Sequence, residues 1–450
     1  MNLAPAASEP VRQRATIVVP TSGAFDSRAW RIASALAARG HTVTVMGRRE
    51  PGAAAEEMHP AGYRIIRVPV SAAAGLPGPL RALWTRFRSA ATGAGGAGVE
   101  PPARAAVEPS SRRGVAGRVR SVSSGVVRLA AIALTVRSQR LATRPLAPTA
   151  DLVHAMAYMG IPIGLDLARR DGAAVVYDAR DIYVDAANVA RLPGTARRLF
   201  GAVERRWARR ASRVATVNEP YAVVMEQRFG VPHPLVVLNC SYRRDPPAVP
   251  LRLFHERLGL DPAARVLLYQ GGFSRDRGIE QLIDALPSLP ADAVLVLLGY
   301  GSLQAEFESR TREPGLGGRL YVLPAVAPTE LLDWVGSADV VAMPIQPSTL
   351  NHRLTTPNKL FEAMAAGVPV VASDLPGMAG IVRETGCGVL CDPTSAAAIA
   401  SAVRAILDAP EAERAAYRER ALAAAHGRYS WESQVEILLA EYGRLTGRPW

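Results

Sequence analysis

The sequence predicts an α/β protein of two doubly wound domains facing each other across a cleft, and three observations predict it. Short apolar runs alternate with amphipathic stretches of helical spacing along most of the chain, the pattern of parallel sheets covered by helices. The alternation pauses at 71–150, resumes, and begins afresh after a proline-rich connector at 243–250 (RRDPPAVP). At 450 residues the chain exceeds one ordinary core and fits two domains of about 200 residues.

The elements follow in order. Residues 15–20 (ATIVVP) read as a strand ending at a Ser-Gly turn, and Trp30, Ile32, Ala33, Leu36 and Ala37 line one face of the helix after it, stopped by Gly40. Strands follow at 42–46 and 63–68. Within 71–150, Leu80, Leu83, Trp84 and Phe87 share one face of a short helix. Residues 126–141 form a second apolar stretch edged by Arg128, Arg137 and Arg140. Strands at 151–155, 173–177, 214–217 and 235–238 alternate with helices, one at 164–170 and a long basic one at 195–210. Beyond the connector the pattern repeats: strands at 266–270, 293–298, 321–323, 340–343 and 368–372, with helices between them. Helices at 395–407 and 411–426 close the second domain.

The predicted domains are therefore 1–245, with 71–150 a basic and partly flexible insertion, then 246–428, and a final helix at 429–450 that crosses back to the first. Composition excludes several classes. With 49% hydrophobic and 21% charged residues the chain is globular. The net charge of +13 is concentrated in 71–150, where twelve arginines stand against Glu100 and Glu108. No nucleic-acid motif accompanies it, so nucleic acid is not the expected partner. Cys240, Cys387 and Cys391 are too few for a disulfide framework and lack the partners of a zinc site, so no metal is expected. No apolar h-region opens the chain and no run is long enough to span a bilayer, which points to a cytoplasmic protein. Among 53 basic residues, Lys359 is the one lysine; an ammonium kept there suggests a site preferring a compact point charge, or chance.

Residues 355–374 (TTPNKLFEAMAAGVPVVASD) carry the most chemistry. Pro357 marks a helix start whose free amides, with Asn358 and Lys359 in the first turn, suit a phosphate oxygen. Glu362 lies one turn further on, Gly367 ends the helix, and the strand PVVASD leads to a turn at Pro376, Gly377 and Met378. At 269–278 (YQGGFSRDRG) a strand ends in Gly271 and Gly272, followed by Arg275 and Arg277, a pair able to neutralise a diphosphate. Gly299 and Gly301 form a tight turn after the next strand.

These segments resemble the donor-site signature of retaining GT-B glycosyltransferases of family 4, whose core reads EAMA-x-G-x-PVVAS. The resemblance covers most of the chain outside 71–150. It implies a GT-B fold of two Rossmann-like domains. Glu362 would bind the donor ribose, the amides at Pro376, Gly377 and Met378 the sugar or phosphate, and Arg277 the diphosphate in place of a family lysine. Gly299 and Gly301 match the family's GxG turn, residues 151–155 (DLVHA) its D-x-x-H strand, and 176–181 (VYDARD) its VYDxHD strand. Asn239 matches the crossover asparagine, and 429–442 the returning helix. Three positions depart from the family: Leu354 where the first glutamate of E-x7-E stands, Gly272 where an arginine stands, and Arg180 where a histidine stands. Lys359 could supply the charge missing at Gly272, and Arg180 could replace the histidine.

The resemblance implies transfer of a sugar from a UDP- or GDP-sugar, with no separate cofactor, to a glycan or lipid-linked acceptor with retention of configuration. Such work suits cell-envelope polysaccharide or glycoconjugate synthesis. Arg277, Lys359 and Glu362 would serve the donor, and His154 and Arg180 the acceptor side. Residues 77–145 would meet an anionic membrane surface, peripherally on the inner face of the plasma membrane, or else pack on the first domain with a solvated loop beside them. An inactive scaffold of the same fold and an inverting GT-B enzyme are the alternative readings.

Overall fold

The computed structural model describes residues 12–24, 26–71, 115–247 and 249–450. They divide into two compact units. The first holds the chain up to Ala215, with Met225–Pro234 and Ala440–Trp450; the second holds Thr216–Val224 and Leu235–Leu439. Both are Rossmann-like α/β domains built on mainly parallel sheets.

The first sheet has the order β3-β4-β2-β1-β5-β6-β7-β8, from β1 (Arg14–Val18), β2 (Thr42–Arg48), β3 (Glu56–Met58), β4 (Arg64–Val68), β5 (Leu152–Met156), β6 (Ala174–Asp178), β7 (Arg213–Thr216) and β8 (Leu235–Val236). It is parallel from β4 through β7, with β3 antiparallel at one edge. Sequence patterning misses β3 because its three residues are all exposed and carry no alternation. Helix α1 (Ser27–Ala38) is capped by Asp26, whose carboxylate accepts the Ala29 amide at 3.1 Å. Helix α2 (Val115–Thr143) packs on β4, on α3 (Ala157–Asp171) and on α4 (Gly194–Ala208). Leu80 to Phe87 lie outside the described residues. Helix α3 starts directly after β5, seven residues earlier than patterning predicts. Ala157 makes the junction with φ of 59°, and Gly164 lets the helix approach: a Cβ there would lie 2.6 Å from that of Ala155.

The second sheet has the order β11-β10-β9-β12-β13-β14, from β9 (Arg265–Gly272), β10 (Ala293–Tyr300), β11 (Leu320–Leu323), β12 (Val340–Met343), β13 (Val370–Ser373) and β14 (Gly388–Cys391). Its ladders are parallel, and buried aliphatic layers cover both faces. The chain passes to this unit before the proline-rich connector, because Leu238 and Cys240 already lie in the second unit's core. Helix α5 (Glu219–Phe229) is divided between the units. The last helix, Trp431–Thr446, returns to the first unit from Ala440 onward, where Tyr442 is fully buried.

Candidate functional site

In the second unit β9 pairs with β10 along its full length, up to Tyr300 opposite Gly272. It pairs with β12 only at Leu267 and Leu268. Strand order reverses between β9 and β12, so past Leu268 their carboxyl ends part at the place where such sheets take ligands. Tyr269, Gln270, Gly271 and Gly272 lie along that edge. Helix α11 (Asn358–Ala365) starts beside it with Pro357 at its N-cap and no side chain capping its first turn, so its leading amides are left for another acceptor. Helices α6 (Leu253–Leu258), α7 (Ile279–Ala285), α8 (Gln304–Arg310), α9 (Leu331–Gly336) and α10 (Leu350–Leu354) precede it in the chain.

The glycines sort into two kinds. A Cβ at Gly299 would lie 2.0 Å from the Gly271 carbonyl oxygen, one at Gly301 2.3 Å from that of Phe273, and one at Gly377 2.2 Å from that of Thr355. At these three the Cβ direction is filled by the protein's own backbone, so packing alone requires glycine there. Gly271, at φ of 120°, would meet nothing within 4 Å except the end of Lys359, with Nζ at 3.6 Å. Gly272 would meet nothing at all. The open backbone is therefore confined to Gly271 and Gly272, and a ligand can approach it closely.

Cations flank that opening. The ammonium of Lys359 stands 3.6 Å above the centre of the Tyr269 ring, a cation–π contact. Desolvation first and the Arg277 charge second push Lys359 down to about 7, with Glu362 opposing them. Arg277 is held from the loop by Ser274, its Nε donating to Oγ at 3.4 Å, and Arg275 is exposed beside it. Glu362 is one turn beyond Lys359 on the same helix face and accepts from Gln270 Nε2 at 3.3 Å. Gln270 is buried, and its Oε1 has no partner among the described residues. Tyr300 is 70% exposed opposite Gly272. Structure thus adds Tyr269, Gln270 and Tyr300 to the site; the motif spelled out the first two without giving their direction.

Asn358 is exposed, and its Oδ1 accepts from Asn239 at 2.9 Å. Pro376, Gly377 and Met378 form the first turn of helix α12 (Pro376–Thr385) rather than a free loop. Pro376 has no amide, that of Met378 donates to Leu375 at 3.0 Å, and only that of Gly377 is left over among the described residues. Leu354 enters through its backbone, its carbonyl accepting from Asn218 Nδ2 at 2.7 Å. Asn218 also donates to Thr356 at 3.0 Å, and the Tyr221 hydroxyl reaches Asn351 at 2.7 Å. These residues from the earlier half of the sequence support the floor of the site, and no motif announced them.

His154 and Arg180 belong to the first unit, whereas this constellation belongs to the second. His154 has no exposed surface: its Nε2 meets Asp178 at 3.0 Å and its Nδ1 meets the Tyr442 hydroxyl at 2.7 Å. Arg28 closes the chain, its Nε donating to Asp178 at 2.6 Å. Burial opposes ionisation there, but Arg28 and His154 hold the Asp178 carboxyl well below the usual range. With both ring nitrogens engaged and no surface, His154 is a structural latch on the returning helix and not a group that touches substrate. Arg180 is a quarter exposed and clamps Asp26 with Nη1 at 2.7 and 2.9 Å, so it braces the cap of α1.

Residues 23–241 match the glycosyl transferase 4-like domain, and residues 252–423 match glycosyl transferases group 1. A D-inositol 3-phosphate glycosyltransferase of Xylanimonas cellulosilytica is 33% identical over 197 residues, covering 43% of this chain and 45% of that protein. One from Catenulispora acidiphila is 33% identical over 216 residues, covering 44% and 50%. The chain thus spans about half the length of the curated relatives it matches. Among solved structures, sucrose-phosphate synthase from Thermosynechococcus elongatus superposes with a TM-score of 0.70 at 20% identity, covering 97% of this chain and all of that one. Anabaena Alr3699/HepE in complex with UDP-glucose gives 0.60 at 17% identity over 96% of this chain and 99% of that one. These neighbours share the GT-B fold, and the two matched segments, one similar to the glycosyl transferase 4-like domain and the next to glycosyl transferases group 1, follow one another along the chain.

Proposed function

We propose that the protein is a retaining glycosyltransferase that takes a UDP- or GDP-sugar on its second unit. It would pass the sugar to a glycan or lipid-linked acceptor held by the first. The observation that carries this reading is the open backbone of Gly271 and Gly272 with Lys359 and Arg277 beside it and Glu362 one turn away. A diphosphate laid over the two glycines neutralises both cations. Glu362, steadied by Gln270, then accepts hydrogen bonds from ribose hydroxyls. The ring of Tyr300 offers a face to the nucleobase.

In this mechanism the protein's work is electrostatic. Lys359, Arg277, the first turn of α11 and the Gly377 amide stabilise charge on the leaving diphosphate. The diphosphate itself takes the acceptor proton on the face it leaves, so no protein nucleophile is required. Exposed Arg128, Arg137 and Arg140 with half-exposed Leu141 and Leu146 support an anionic membrane surface as the place of work. Among the described residues no helix is long and apolar enough to cross a membrane.

The test is a thermal-shift screen of the full chain against UDP-, GDP- and dTDP-sugars, followed by NMR of the product anomer. A stabilising nucleotide sugar and a product keeping the donor's configuration are the expected results. No stabilisation by any nucleotide sugar overturns the donor assignment, and an inverted anomer overturns retention.

A further inference from the structure

The first unit holds a second cavity, unrelated to the donor residues. A groove of about 920 Å³ runs between α4 and α5 beneath the segment 181–184. That volume is in the range of small-molecule sites, which span roughly 300–1,000 Å³. Its lining follows α4 from Gly194 to Arg205, about 16 Å at 1.5 Å per residue, so the space is long rather than round. The walls are mainly apolar, with Ile182, Met225 and Phe229 buried and Val184 partly so.

Apart from Asp181 at the edge of the lining, the charged groups gather in two places. At the floor lies Glu204, buried, accepting from the Tyr177 hydroxyl at 2.7 Å. At the rim stand four arginines. Arg197 and Arg228 share a single carboxylate, that of Asp185, at 2.9 and 2.8 Å, which orders both guanidinium groups and neutralises only one. Arg198 and Arg205 are exposed and make no ion pair among the described residues. An elongated apolar slot with an excess of ordered cations at its mouth is complementary to an apolar chain ending in an anion.

We propose that this groove binds an anionic amphiphile, a single apolar chain carrying a phosphate monoester, with the chain along α4 and the phosphate on the arginine rim. Glu204 is compatible with that occupant. Burial, opposed by Tyr177 and Arg228, raises its carboxyl to about 7, so below pH 7 the floor is mostly uncharged and repels the ligand little. The inference does not rest on the donor assignment, which concerns residues of the other unit.

The experiment is calorimetric titration of the full chain with monomeric dodecyl phosphate, dodecanol and inorganic phosphate. Dodecyl phosphate should bind at one site, at least tenfold more tightly than either fragment, and more weakly as salt rises. The double variant R198A/R205A should weaken it about tenfold. Ala202→Trp, which puts a large ring into the groove from an exposed helix position, should abolish it. Both variants should leave UDP-sugar binding unchanged, which separates this outcome from failure of the donor site. The proposal is overturned if dodecyl phosphate does not bind, if A202W binds it as the native chain does, or if inorganic phosphate or dodecanol alone matches it.

Discussion

Replacing Lys359 by methionine should make the free protein more stable and its donor site weaker. The folded environment lowers the ammonium from the usual 10.5 to about 7. Between those two values the folded chain holds fewer protons than the unfolded one, so stability rises with pH. The cost of the charge is complete below pH 7 and is relieved as pH approaches 10.5. At about 1.4 kcal/mol per tenfold, that gap bounds the cost at roughly 5 kcal/mol. Lys359 keeps some contact with solvent and gains the Tyr269 ring face. About 1–2 kcal/mol is therefore the net gain expected for Lys359→Met at pH 6.5, or about 3–5 °C in the transition of a unit this size.

Donor binding runs the other way. A UDP-sugar diphosphate stays doubly ionised from pH 6 to 9, so any titration of affinity in that window belongs to the protein. Below pH 7 the ammonium is charged and pairs with it; above 7 each binding event must also take up a proton. Affinity in the native chain should fall toward tenfold per pH unit from 7 upward. In Lys359→Met it should be 10- to 100-fold weaker at pH 6.5, from a lost charged hydrogen bond of about 1.5–3 kcal/mol, and flat in pH. Calorimetry at pH 6.5, 8 and 9 with thermal scans of both proteins measures this. A variant that is less stable at pH 6.5 and binds the donor normally would refute the assignment of Lys359 to the diphosphate.

Other outcomes follow from single contacts. Gly299→Ala should unfold or destabilise the second unit by 3 kcal/mol or more, since its Cβ would sit 2.0 Å from the Gly271 oxygen. Gly272→Ala should leave the melting temperature alone and cut donor affinity on the order of tenfold. In the first unit, Asp178→Asn strips buried Arg28 of its counter-charge and should cost about 3–5 kcal/mol in denaturant melts. Tyr442→Phe, which removes only the partner of His154 Nδ1, should cost about 1–2 kcal/mol, with donor affinity unchanged in both. Glu204, raised from 4.5 to about 7, should make the native chain lose stability as pH rises from 4.5 through 7. Glu204→Gln should remove about 2–3 kcal/mol of that slope in melts at pH 5 and 8.

The alternation of strands and helices was legible because each core strand is buried on both faces and reads as an apolar run, as in 266–270 and 340–343. Where elements are short or exposed the signal disappears, as at β3 and at the five-residue α10, which has no buried residue. In the site, the motifs found Lys359, Glu362, Gly271 and Gly272, because spacing fixes which residues share a helix turn or end a strand. Spacing cannot say which way a strand residue points. His154 therefore read as a group open to substrate, though its partner Tyr442 lies 288 residues away and encloses it. The same blindness hides why Gly299, Gly301 and Gly377 must be glycine: the Cβ direction at each is filled by backbone from elsewhere in the unit.

The two halves of the chain treat a desolvated cation in opposite ways, and the contrast bears on function. Arg28, with almost no exposed surface, is matched by Asp178 and braced through His154 and Tyr442, so its charge is balanced by the fold itself. Arg277 sits close enough to Lys359 to depress its protonation, and no salt bridge joins either to a carboxylate among the described residues. An arrangement that costs the free protein stability makes physical sense if an anion completes it. The backbone left open at Gly271 and Gly272 is where that anion has room to lie.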